Sequence, residues 1–124
     1  RGTNSVANAR LRLKQDRPDG IVLTSTMLAG SWANDYVTNM DIEKIEMPVL
    51  IVHHRKDDCV VTPADKVGDL REKLKNAKPM KVLWYEGGSG MRGSECNAKH
   101  YHGFIGIEEK VVKDIMDWIK SPTP

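Results

Sequence analysis

No apolar run in this chain of 124 residues reaches the eighteen or so that a membrane-spanning helix needs. The longest, around residues 47–52, has the length of a strand. No block of one charge sign is present either. The 19 basic and 17 acidic residues are interspersed and the formal net charge is only +2, so the electrostatic footprint of a nucleic-acid partner is missing. Neither membrane nor nucleic acid is therefore an expected partner. Two cysteines, Cys59 and Cys96, are too few to argue secretion by number. The chain opens on Arg1 with no initiator Met and no signal-like apolar stretch, as expected of a trimmed chain or a piece of something longer. Its length fits one domain, 1–124, with a single core.

What is present alternates. Residues 3–16 have a helical pattern, with Val6, Ala9 and Leu13 on one face and Asn4 or Ser5 available as a cap. Pro18-Asp19-Gly20 ends it in a turn, and the β-branched run at 20–28 suits a strand covered on both sides. A brief helical turn near 41–46 stops at Pro48. Val49, Leu50, Ile51 and Val52 then form the strongest strand of the chain, at 48–54. Thr62-Pro63 followed by Asp65 is a helix-start signature with Thr62 as hydroxyl cap, and Val67, Leu70 and Leu74 mark the core face of a helix to about 76. Residues 80–86 form a third strand, broken by Gly87-Gly88-Ser89-Gly90. A polar loop at 87–106 follows. Last comes a helix over 107–120 with a stripe of Val111, Val112, Ile115, Met116 and Ile119. This order predicts an α/β fold, a three-layer arrangement with a small parallel sheet of about three strands flanked by helices. So few strands leave a sheet edge open, for a second copy or a complementing N-terminal segment.

The chemistry gathers at two places. Asp57 and Asp58 follow the central strand, where open parallel sheets collect reacting groups outside the strands' carboxyl ends. A carboxylate there can orient an imidazole; equally, two acids after a strand can solvate a turn or cap the next helix. His102 lies in Lys99-His100-Tyr101-His102-Gly103-Phe104, and Gly103 is expected to let the backbone turn tightly into the last helix. A general base needs an accessible imidazole that exchanges its proton near neutral pH. Acid first and histidine 45 residues later is the order of a hydrolytic triad. The third member is absent, because no Gly-x-Ser-x-Gly occurs and Ser5, Ser25 and Ser89 lack the spacing of a nucleophile elbow.

If the loops carrying Asp57 and His102 meet, Cys59 and Cys96 meet with them. A disulfide would close a loop of roughly forty residues, with a chain-entropy gain of about 4 kcal/mol, and would place the protein in an oxidising compartment, periplasmic or secreted. Two free thiols, in a cytoplasmic protein, are the alternative. A rival site uses Cys59, Cys96, His100 and His102 as zinc ligands, although the cysteines lack the close pairing usual in structural zinc sites. The primary reading requires no cofactor and no metal. Trp32, Trp84 and Trp118 are packing residues, with Trp32 also placed to line a pocket, and His53 and His54 are structural.

These residues together resemble the carboxyl-terminal half of an α/β-hydrolase, over nearly the whole chain. Arg1-Gly2-Thr3 is similar to the start of the helix after the nucleophile elbow, in members reading Gly-x-Ser-Arg-Gly-Thr. Residues 48–63 are similar to the strand and loop that carry the family's acid, with Asp57 at its position, and His102-Gly103-Phe104 to the segment that carries its base. Cysteines beside both positions are similar to a subset of bacterial hydrolases. The resemblance implies ester or acyl hydrolysis by a Ser-His-Asp triad whose serine precedes Arg1, so that this chain alone is inert. The alternative is a non-catalytic protein that self-associates or binds a small molecule on the same half-scaffold.

Overall fold

The computed structural model describes residues 2–30 and 36–124; Arg1 and Trp32, both singled out above, lie outside them. Three strands form one parallel sheet in the order β1 (Ile21–Thr24), β2 (Val49–His54), β3 (Met80–Tyr85). Ile21 pairs with Val49, and Val49 with Met80. The central strand is buried along its whole length, as expected of Val, Leu and Ile in series with helices on both sides.

The pleat divides β2 between two cores. Val49 and Ile51 pack with Ile21, Leu23, Val67, Leu70 and Leu74 beneath helices α1 (Gly2–Arg12) and α2 (Val67–Lys73). Leu50 and Val52 pack with Tyr85, Phe104, Val111 and Trp118 beneath α3 (Glu108–Lys120). The result is the expected three-layer α/β arrangement. On α3, Tyr85 donates its phenol to Asp114 at 2.7 Å, and Lys110 meets the same carboxylate oxygen at 2.6 Å. The Lys110 ammonium first, then the Tyr85 hydroxyl, holds the Asp114 carboxyl below the usual carboxylate range.

Several local expectations are corrected. Gly2 is already helical in α1, which puts Asn4 and Ser5 inside the helix rather than at its cap. It also turns a different face inward. Thr3 and Ala7 are buried with Leu11 packed beside them, while Val6, Ala9 and Leu13 face outward. The Thr3 hydroxyl accepts the Met27 N–H at 3.2 Å, which pins that turn against the end of β1. Strand β1 ends at Thr24, and Ser25, at a positive φ of 41°, turns the chain away while its N–H still bonds Val52 O on β2 at 3.0 Å. Helix α3 buries only half of its apolar stripe: Val111 is covered, whereas Val112, Met116 and Ile119 are each about half exposed.

Gly103 also has a different role. The left-handed residues at the turn into α3 are Phe104, at φ 60°, and Gly106, at φ 81°. Gly103 is required instead for close approach, since a Cβ there would collide with the backbone of Ala98.

Candidate functional site

The turn after β2 and the loop before α3 fold against each other at the carboxyl end of the sheet. Asp57 is 5 % exposed. Its Oδ1 accepts the Cys59 backbone N–H at 3.1 Å, and its Oδ2 accepts the Thr62 hydroxyl at 2.9 Å. The third neighbour is His102, whose Nδ1 lies 3.2 Å from the same Oδ2 and 3.0 Å from the Thr62 Oγ1. A lone pair on Nδ1 would face the carboxylate oxygen, so the arrangement selects the Nδ1–H tautomer and leaves Nε2 as the basic nitrogen.

Asp58 differs from its neighbour. Its side chain is more than half exposed and lies 3.4 Å from His100 Nδ1, so of the two acids only Asp57 meets His102. The backbone of the histidine loop is anchored separately, by the Ser25 hydroxyl donating to the His102 carbonyl at 2.7 Å. Ser25 thus holds its unusual φ with its hydroxyl on the base loop and its N–H on Val52 O.

Cys59 and Cys96 form a disulfide. It ties the acid turn to the base loop, and it corrects the zinc alternative: a disulfide sulfur has no thiolate to offer a metal. No metal-binding cluster of His, Cys, Asp and Glu occurs among the described residues, and no helix among them is long and apolar enough to cross a membrane.

His53 and His54 are both fully buried and point to opposite sheet faces. His54 stacks on Tyr101; its Nδ1 accepts the Lys56 N–H at 3.0 Å and its Nε2–H donates to Gly87 O at 2.9 Å. His53 donates from Nε2 to Thr62 O at 3.0 Å and lies edge-on to Trp84. Its Nδ1 has no hydrogen-bond partner among the described residues.

Burial pushes the His53 imidazole below its ordinary 6.5, against the opposing pulls of the Thr62 carbonyl and Asp57. The folded protein thus keeps His53 neutral where the unfolded chain takes up a proton. This contribution to stability is complete above 6.5 and is lost as the pH falls from there toward the lower folded value, by at most about 1.4 kcal/mol per pH unit. His53→Gln is expected to flatten the loss of stability between about pH 7 and about pH 5.5 in urea unfolding. An equal slope in both proteins would mean that His53 is charged in the fold.

An open cleft of roughly 640 Å³ lies beside this pair, lined by Gly2, Thr3, Val6, Thr24, Ser25 and His102 among others. It runs along the outer edge of β1 to the first turn of α1. Sequence reasoning missed Thr62, reading its hydroxyl as a helix cap; the residue entering the helical segment is Pro63, with no side-chain cap, because the hydroxyl is engaged by Asp57. The available signal was an acid five residues before a threonine in one tight turn.

No family model, curated protein or solved structure matches this chain.

Proposed function

We propose that this chain carries the acid and base of a serine hydrolase acting on ester or similar acyl substrates, the nucleophilic serine being supplied from outside residues 1–124. The observation that supports it best is that His102 and the first turn of α1 line the same cleft. The resemblance to α/β-hydrolases sets the serine just ahead of that turn, which would bring its hydroxyl to the basic nitrogen of His102. Nε2 would take the serine proton as Oγ attacks the acyl carbon, and would return it to the leaving alcohol; water then releases the acid and restores the serine. Asp57 holds the imidazole in the competent tautomer throughout.

The outer edge of β1 supports the same reading. Thr24 is exposed, Val22 is half-buried, and no strand among the described residues pairs with that edge. An added strand there would satisfy the open backbone groups and roof the cleft.

Fluorophosphonate labelling of the protein recovered from its source cell tests the proposal. The label is expected on a serine outside this chain's residues, and His102→Ala is expected to reduce labelling by about a thousandfold or more. Labelling undiminished by that change would contradict it. The second reading, favoured by the exposed Val112, Met116 and Ile119, is a non-catalytic protein that pairs with itself. It predicts a dimer that takes no label at all.

A further inference from the structure

Three atoms form a near-equilateral triangle at the site: Asp57 Oδ2, Thr62 Oγ1 and His102 Nδ1, separated by 2.9, 3.0 and 3.2 Å. A triad of the usual kind needs only the last of these contacts. Here the hydroxyl is nearer to the imidazole than the carboxylate is. Two protons serve the triangle, one on the hydroxyl and one on Nδ1. Asp57 can only accept, so the Thr62 hydroxyl must donate to it, which leaves the Thr62 oxygen free to accept from Nδ1–H.

We infer that Thr62 is a positioning residue that couples acid to base, its hydroxyl relaying the hold of Asp57 onto the His102 ring. Four further observations bear on this. Thr62 is 1 % exposed, so water does not compete for its hydroxyl. Its own N–H bonds Cys59 O and its carbonyl accepts from His53, which fixes the residue on both sides. As a β-branched residue it holds few χ1 rotamers, which keeps the oxygen in the corner. Finally, Cys59 donates to the other oxygen of Asp57 and carries the disulfide to the base loop, so the turn 57–62 forms one rigid unit around the carboxylate. His53, buried against Thr62 O and 3.5 Å from Asp57 Oδ2, is the floor of that unit.

The inference rests on the acid–base reading above, and the test separates the two. The exchange of the His102 Nδ1 proton with water is followed by NMR in this chain and in Thr62→Val, Thr62→Ser and Asp57→Asn. Thr62→Val is nearly isosteric and removes only the hydroxyl. It is expected to speed exchange about tenfold, an effect of about 1.4 kcal/mol on protection, while Thr62→Ser keeps the slow rate and Asp57→Asn abolishes the Nδ1–H signal. Exchange unchanged in Thr62→Val but lost in Asp57→Asn would overturn the role of Thr62 and leave the pair intact. Exchange unchanged in both would overturn the pair itself. Should Thr62→Val fail to fold, the unsubstituted chain decides: a cross-relaxation peak between the His102 Nδ1 proton and the Thr62 hydroxyl proton is expected, and its absence overturns the inference.

Discussion

Replacing both Cys59 and Cys96 with alanine is expected to lower the unfolding free energy by about 4 kcal/mol, the chain-entropy value for a loop closed across 37 positions. For a domain of this length that corresponds to a fall of roughly 15 °C in melting temperature, and it is a large fraction of the whole stability of a typical domain. The loop so closed contains α2 and β3, so the constraint spans one edge strand of the three and the helix before it. Cys59 is buried, and alanine in its place adds no unsatisfied polar group. The backbone N–H that Cys59 donates to Asp57 is kept by alanine, so the substitution removes the tie between the two loops and no bond to the carboxylate. Scanning calorimetry on the two proteins reads the result; equal melting temperatures would mean that the bond adds nothing to packing already present.

Asp57→Asn carries the largest functional effect. Asparagine is close in shape, yet its amide offers a donor where His102 needs an acceptor. The ring then favours the Nε2–H tautomer, which has no lone pair for the serine proton. In the acyl-hydrolysing protein proposed here, turnover should fall by about ten-thousandfold, which is close to 5 kcal/mol of barrier. Asp58→Asn is expected to leave turnover within a few-fold, since the Asp58 carboxylate points to solvent and His100. Full activity in Asp57→Asn would remove the carboxylate from the mechanism.

The periodic elements were legible in the sequence. The apolar series of β2 and the three-and-four spacing of Val67, Leu70 and Leu74 each allow one burial pattern, and the structure has it. The meeting of two distant loops was legible through paired clues, an acid beside one cysteine and a histidine near the other, which no single motif supplies. Details decided by competition were not. The Thr62 hydroxyl had two possible customers, a helix end and a carboxylate. The charge-assisted bond prevailed, being the stronger of the two. On α1 two faces carry small or apolar residues, and the face turned inward is the one whose Thr3 accepts from Met27 and whose Ala7 and Leu11 join the core. On α3 the stripe is correct as a period but says nothing of what covers it, and half of it remains open.

The measurement that bears most directly on the acid–base pair is the imidazole ¹⁵N spectrum of His102, recorded for this chain and for Asp57→Asn near neutral pH. The geometry predicts a protonated Nδ1 and a bare Nε2 in the first, with the pattern reversed in the second. A bare Nδ1 in the unsubstituted chain, or the same spectrum in both, would contradict the claim that Asp57 sets the histidine for proton transfer.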